Sequence, residues 1–244
     1  MLDAVRIGAW AKSGSPTPTA YGGLCFTAEA DNSSVQLTAV GSAPAVTLVK
    51  SFDGVNWDEY IVGDVIELPT VGSSVYLAAG EGGNKTFCTS RFGKSHKFVI
   101  KGFVAASGDI TSLLNFDLSQ TTLANYCYSY MFNGCTGLTS APELPATTLA
   151  NYCCIGMFRD CTGLTSAPEL PDAYASYVYN EMFNGCTKLS LIKVHFRSWN
   201  NITGAWVANV ASTGTFYKPS ALPEEYGTSK IPTGWTVVNI DKTT

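Results

Sequence analysis

A near-verbatim internal repeat constrains this chain more than any other feature. The segment Leu123-Ala-Asn-Tyr-Cys-Tyr-Ser-Tyr-Met-Phe-Asn-Gly-Cys-Thr-Gly-Leu-Thr-Ser-Ala-Pro-Glu-Leu-Pro145 returns as Leu149 to Pro171, matched almost residue for residue. Met131 to Met157 is 26 residues and Met157 to Met182 is 25, and the third copy keeps Tyr177, Met182-Phe183, Gly185-Cys186-Thr187 and Leu189. A unit this short cannot bury its apolar side chains alone, so the copies must stack on one another. The period lies within the roughly 20 to 29 residues of leucine-rich repeats and below the roughly 33 or more of ankyrin and tetratricopeptide units.

Within each unit Leu123, Cys127 and Met131 recur every four residues, which predicts one face of a short helix ending near Gly134 or Gly185. A brief strand follows, with Leu138, Ala141 and Leu144, and their copies Leu164, Ala167 and Leu170, as its apolar positions. Ahead of the repeats, strands are predicted at Leu24–Ala28, Val35–Val40, Val46–Phe52, Val65–Leu68, Val75–Ala79 and Lys97–Ala105, with turn chemistry at Asp31-Asn32, Gly41-Ser42 and Asp53-Gly54. The expected fold class is therefore mixed α+β. Residues 1–20 form an extended tether, 21–108 a β-sandwich-like domain, and 109–244 an α/β leucine-rich-repeat solenoid of three to four repeats with a C-terminal cap.

The motif Met-Phe-x-x-Cys-Thr-x-Leu-Thr-Ser-Ala-Pro-Glu-Leu-Pro resembles the BspA-like leucine-rich repeats of bacterial surface proteins and of gut-bacterial phage and prophage proteins. Gly214-Thr-Phe-Tyr-Lys-Pro and Ile231-Pro-Thr-Gly-Trp-Thr-Val are similar to the end of such arrays, and Val46–Trp57 and Phe98–Leu114 to the β module that precedes them. The resemblance implies surface attachment or recognition and names no ligand. The array is short, and its third copy has Lys193-Val194-His195 where the others have Pro-Glu-Leu.

Composition narrows the function further. With 45% hydrophobic and 14% charged residues and a net charge of −4, the chain can bury a core but has no basic field for nucleic acid. No stretch reaches the roughly 18 apolar residues of a membrane span, and residues 1–20 lack the apolar run of a signal peptide. Of eight cysteines, Cys135, Cys161 and Cys186 share one repeat position, and Cys127 and Cys153 another, so buried free thiols are expected there. Cys25 and Cys88 stand outside the repeats as a candidate pair.

Catalytic chemistry is poorly represented. His96 and His195 sit in no nucleophile, metal or phosphate motif, and Cys153-Cys154 lacks a second ligand pair at zinc spacing. Ser51-Phe-Asp-Gly-Val-Asn-Trp57 is one residue short of an Asp-box and reads as a turn. Arg91, Lys94, His96, Lys97 and Lys101 read as the solvated face of a strand, and the sequons at Asn32, Asn84 and Asn201 are discounted. No catalytic residue, metal or cofactor is expected.

The expected function is non-enzymatic recognition: a virion appendage binding a host-surface glycan or protein through the repeats, held to other virion proteins by residues 1–20, with a homotrimer as one arrangement. A bacterial adhesin, a spacer and a carbohydrate-active accessory domain are the alternatives, the last because Glu143 and Glu169 stand at equivalent positions of adjacent copies. The strand face, Ser140, Glu143, Ser166, Glu169, Ser190 and Lys193, is the favoured recognition surface. Tyr128, Tyr130 and Tyr179 on the expected helical face compete with it.

Overall fold

A computed structural model describes residues 21–90, 93–172 and 175–241, so the expected tether at 1–20 lies outside the described residues. The strands are β1 (Cys25–Ala28), β2 (Ser33–Gly41), β3 (Leu48–Ser51), β4 (Asp58–Tyr60), β5 (Val65–Leu68), β6 (Ser74–Ala79), β7 (Cys88–Ser90), β8 (Lys94–Lys101), β9 (Val104–Ser107), β10 (Leu138–Ser140), β11 (Leu191–Lys193), β12 (Thr215–Lys218) and β13 (Thr236–Asn239). A six-stranded sheet has the order β10-β9-β1-β6-β3-β4, a four-stranded sheet β5-β2-β8-β7, and a three-stranded parallel sheet β11-β12-β13.

The two larger sheets form the expected β-sandwich-like unit. Alternation places Phe26, Val75, Leu77, Val104 and Ala106 of one and Val35, Leu37, Ile66, Leu68 and Phe98 of the other in a common core. Phe26 and Phe98 meet edge-on across the layers, with centroids 5.0 Å apart. The segment expected as one strand, Lys97–Ala105, is two, because Gly102 turns the chain at φ +74° between β8 and β9. His96 faces inward on β8, its Nδ1 3.2 Å from the Phe87 carbonyl, and burial lowers its pKa, so it is not part of a solvated basic face.

The turn at Ser51–Trp57 forms as read. Asp53 accepts from the Val55 and Asn56 main-chain N–H groups and from the Asn56 amide, which holds its carboxyl well below the usual carboxylate range.

The repeats correct the expected fold class. Among the described residues there is no α-helix, only a single 3-10 turn at Ile110–Leu113, and the chain is β-rich with three sheets rather than mixed α+β with a leucine-rich-repeat solenoid. Where helices were expected, tight turns follow one another with a left-handed residue at every fourth position. These are Tyr126, Tyr130 and Gly134 in the first copy, Tyr152, Gly156 and Asp160 in the second, and Tyr177, Glu181 and Gly185 in the third. A right-handed helix cannot pass through such residues.

The main-chain hydrogen bonds show what replaces it. The N–H groups of Cys127, Ser129, Met131, Asn133 and Cys135 each donate to the carbonyl three residues back. Those of Tyr126, Tyr128, Tyr130, Phe132 and Gly134 donate instead to Asn151, Cys153, Ile155, Met157 and Arg159 of the next copy, at 2.7 to 3.1 Å. Donors thus alternate between closing the local turn and bonding the neighbouring copy, so the polar backbone is satisfied without helix or extended strand. Buried pairs recur at this spacing, Cys127 with Tyr128 and then Met131 with Phe132, and Ser129 between them is buried as well, its hydroxyl donating to the Tyr152 carbonyl at 2.7 Å.

The stack begins on the sandwich. Phe98 of β8 supplies the first ring of a column that continues through Phe132, Phe158 and Phe183, with successive centroids 4.9, 5.3 and 5.9 Å apart. The thiols of Cys135, Cys161 and Cys186 donate to the carbonyls of Phe98, Phe132 and Phe158, each on the layer before. All eight cysteines are free and buried, including Cys25 and Cys88. Burial pushes the Cys127, Cys135 and Cys186 thiols up to about 12.

Since the thiolate is the nucleophile, iodoacetamide at pH 8 is expected to leave these three cysteines unmodified in the native protein and to alkylate all eight after denaturation. Mild reductant should not unfold the chain. Intact-mass measurement checks both, and a Cys135–Cys161 bond found by peptide mapping would contradict the packing account.

Candidate functional site

The Pro-Glu-Leu motif of the first two copies sets the strand face. Pro142 and Leu144 turn inward, as do Pro168 and Leu170, which leaves Glu143 and Glu169 exposed between them. The main chain of Glu143 is pinned on both sides: its N–H donates to the Gly108 carbonyl at 2.9 Å and its carbonyl accepts from the Ile110 N–H at 3.2 Å. The first carboxylate thereby stands on backbone shared with the segment that leaves the sandwich.

Glu143 and Glu169 border one open cleft of about 390 Å³ whose walls include Pro142, Pro145, Pro168 and Pro171. His195 reaches the same cleft from the third copy. Its Nε2 bonds Glu169 Oε1, which also accepts from Lys193 Nζ at 2.9 Å. Lys193 first, and then His195, hold the Glu169 carboxyl below its ordinary range. Both partners come from the Lys193-Val194-His195 departure in the third copy, which sits opposite the carboxylate of the second. The sequence carried that signal in the Lys193-Val194-His195 departure, which lies about one repeat length beyond Glu169.

Other expected contributors are placed differently. Ser140 turns back to donate to the Ala106 carbonyl at 2.8 Å, and Ser166 to the Ala167 carbonyl at 3.3 Å, while Ser190 is exposed. Tyr128 and Tyr179 are only 1% and 0% exposed, with hydroxyls donating to the Ile110 and Pro171 carbonyls. They belong to the core, each beside another buried side chain, Cys127 and Val178 respectively. Tyr130 is half-buried and donates to Glu181, which also pairs with Arg159 at 2.7 Å.

The regular tyrosines do reach the surface. Tyr126, Tyr152 and Tyr177 stack in parallel at 4.9 and 5.0 Å, the spacing of the main-chain ladder beneath them. Tyr152 has a ring on each face, and Tyr126 and Tyr177 end the stack.

Among the described residues, no group of three or more His, Cys, Asp or Glu side chains is placed to hold a metal ion, and no helix is long and apolar enough to cross a membrane.

No protein-family model matches this chain, and neither a curated protein nor a solved structure shows significant similarity to it. The resemblance to BspA-like repeats therefore rests on the quoted motif alone.

Proposed function

We propose that this chain is a non-enzymatic recognition protein that attaches to a glycan or protein on a host surface through the strand face of its repeats, working on the outside of a virion or a cell. The observation that supports this reading is the convergence of Glu143, Glu169 and His195 from three successive copies at one proline-walled cleft, with Lys193 paired to Glu169. Prolines fix the wall and the main-chain pairing fixes the carboxylate positions, so little ordering is required when a partner docks. The cleft offers acceptors and donors side by side, which suits a polar partner of low net charge.

Lys193 and His195 hold the Glu169 carboxyl in its ionised, hydrogen-bond-accepting form, which suits Glu169 to binding a hydroxyl or amide donor rather than to the proton-donating role of a glycosidase. Because the folded pKa is depressed, this arrangement is present above the ordinary carboxylate pKa and is lost as pH falls through the lowered value.

Glu143→Lys combined with Glu169→Lys is expected to weaken attachment to envelope fractions at least tenfold while Tm stays nearly unchanged, since both side chains are exposed. Pull-down against envelope fractions together with thermal melting checks it. Attachment that survives this double change but is lost with Tyr130→Ser would move the recognition surface to the turn side.

A further inference from the structure

A cleft of about 710 Å³ lies away from the strand face, where the sandwich meets the first repeat copy. That volume falls in the range of about 300–1,000 Å³ typical of small-molecule sites. Trp57 and Phe116 supply its aromatic surface, the turn Gly80–Gly83 one wall, and Leu123 and Ala124 of the first repeat the other.

The aromatic surface is built rather than incidental. Tyr21 packs behind both rings, with its centroid 4.9 Å from Trp57 and 5.1 Å from Phe116, and its hydroxyl donates to the Phe116 carbonyl at 2.8 Å. Trp57 and Phe116 themselves meet edge-on at 4.9 Å. Trp199, Trp206 and Trp235 each donate their indole N–H to a main-chain carbonyl at 2.7 to 2.9 Å. The Trp57 indole N–H donates to no protein acceptor among the described residues, although it stands in a half-buried ring beside the cleft.

The opposite wall is rigid. Asn84 ties the glycine turn to the sandwich and to the repeat entrance: its amide nitrogen donates to the Thr47 and Leu113 carbonyls at 2.9 and 2.8 Å, and its amide oxygen accepts from the Thr47 N–H. The glycines leave main chain, not side chain, facing the cleft. Gly83, at φ +67°, has no room for a Cβ, which would stand 2.7 Å from the Leu114 carbonyl oxygen. At the rim are the amides of Asn115 and Gln120 and one side chain of each sign, Glu81 and Lys85.

We infer that this cleft is a binding site for a neutral saccharide, taking the terminal sugar of a glycan with its apolar face against Trp57 and its hydroxyls toward the rim amides and Glu81. A sugar ring presents one carbon-bound face and a girdle of hydroxyls, matching an aromatic surface bordered by amides and main chain. Opposite charges at the rim cancel any preference for an ionic ligand. The site does not depend on the strand face.

The test uses the full chain and a panel of glucose, galactose, mannose, N-acetylglucosamine and their disaccharides, with binding read by saturation-transfer NMR and Trp fluorescence. At least one member should bind, and Trp57→Ala and Ala124→Trp should each weaken it at least tenfold. Ala124 is exposed at the cleft, so the larger ring fills the space while removing no packing, and an unchanged Tm shows that the fold survives. If Trp57→Ala fails to fold, the filled-cleft variant alone decides. The Glu143→Lys, Glu169→Lys chain should bind the sugar as before.

Absence of binding across the panel, or binding indifferent to Ala124→Trp, overturns the inference and leaves the strand-face reading standing. Binding lost only in the Glu143→Lys, Glu169→Lys chain also overturns it, and places the sugar in the strand-face cleft instead.

Discussion

Truncating Phe158 to alanine is expected to cost about 3–5 kcal/mol, the range for a fully buried aromatic ring whose space cannot collapse. Phe158 is 0% exposed and lies between Phe132 and Phe183, so the truncation removes both ring contacts at once. Its carbonyl also takes the Cys186 thiol and its N–H bonds Met182, so main chain and side chains hold the site open on every side. In a chain of this size about 1 kcal/mol moves Tm by roughly 2–4 °C, so Tm should fall by about 6–20 °C. Tyr152→Ala, in the stacked but partly exposed outer column, should cost about 1 kcal/mol. Calorimetry on both variants checks the order. Equal losses would mean that the inner column does not carry the stack.

The same column bears on cooperativity. Phe98 belongs to the sandwich and Phe132 to the first copy, and β10 pairs with β9 across the same junction. One hydrophobic core runs through both segments. Damage at Phe158 is therefore expected to lower a single transition rather than to melt the repeats alone while the sandwich stays folded.

How far this was legible in the sequence depended on which period the residues obeyed. The sandwich strands were readable because Phe26-Ala28, Val35-Leu37 and Phe98-Ile100 alternate, and alternation has few other meanings. Strands β4 and β7 were missed because Asp58-Glu59-Tyr60 and Cys88-Thr89-Ser90 are three residues each and largely polar. They pair only because neighbouring strands offer an edge. The outward Glu of Pro-Glu-Leu followed from its apolar flanks, but the cleft at Trp57 did not, since its walls come from segments far apart in the chain.

The repeat was misread as helix although its spacing argued otherwise. Leu123, Cys127, Met131 and Cys135 step by fours without the intervening three that a helix requires. At about 100° per residue each step of four turns about 40°, so Cys135 would stand about 120° from Leu123, off the common face. A strict period of four is the signature of turns, each closed by one left-handed residue. The last such position carried a second signal: Gly134, Asp160, Gly185 and Asn209 are all residues that tolerate positive φ. The tyrosines at Tyr126, Tyr152 and Tyr177 hid it, because a bulky residue is seldom left-handed, and here the stacking of each ring on the next holds it there.

That distinction gives a prediction in which helix and turn differ in sign. In a helix, replacing an interior glycine by alanine stabilises by roughly 0.5–1 kcal/mol. Gly156 is at φ +57°, and an added Cβ would lie 2.2 Å from Tyr130 Cε1 and 2.4 Å from its Cδ1. The left-handed backbone alone costs an L-residue about 1–2 kcal/mol, and displacing a ring that is hydrogen-bonded to Glu181 adds about 1–3 kcal/mol. Gly156→Ala should therefore destabilise by about 2–5 kcal/mol. Gly134→Ala separates the two contributions, because at φ +74° its nearest neighbour would be Lys97 Nζ at 3.7 Å, leaving only the backbone cost of about 1–2 kcal/mol. Adding Tyr130→Ala to Gly156→Ala should recover the steric part, so the double mutant falls short of the sum of the singles. Urea melts of the parent and the four variants decide the matter, and a Gly156→Ala protein more stable than the parent would show that the segment is helical after all.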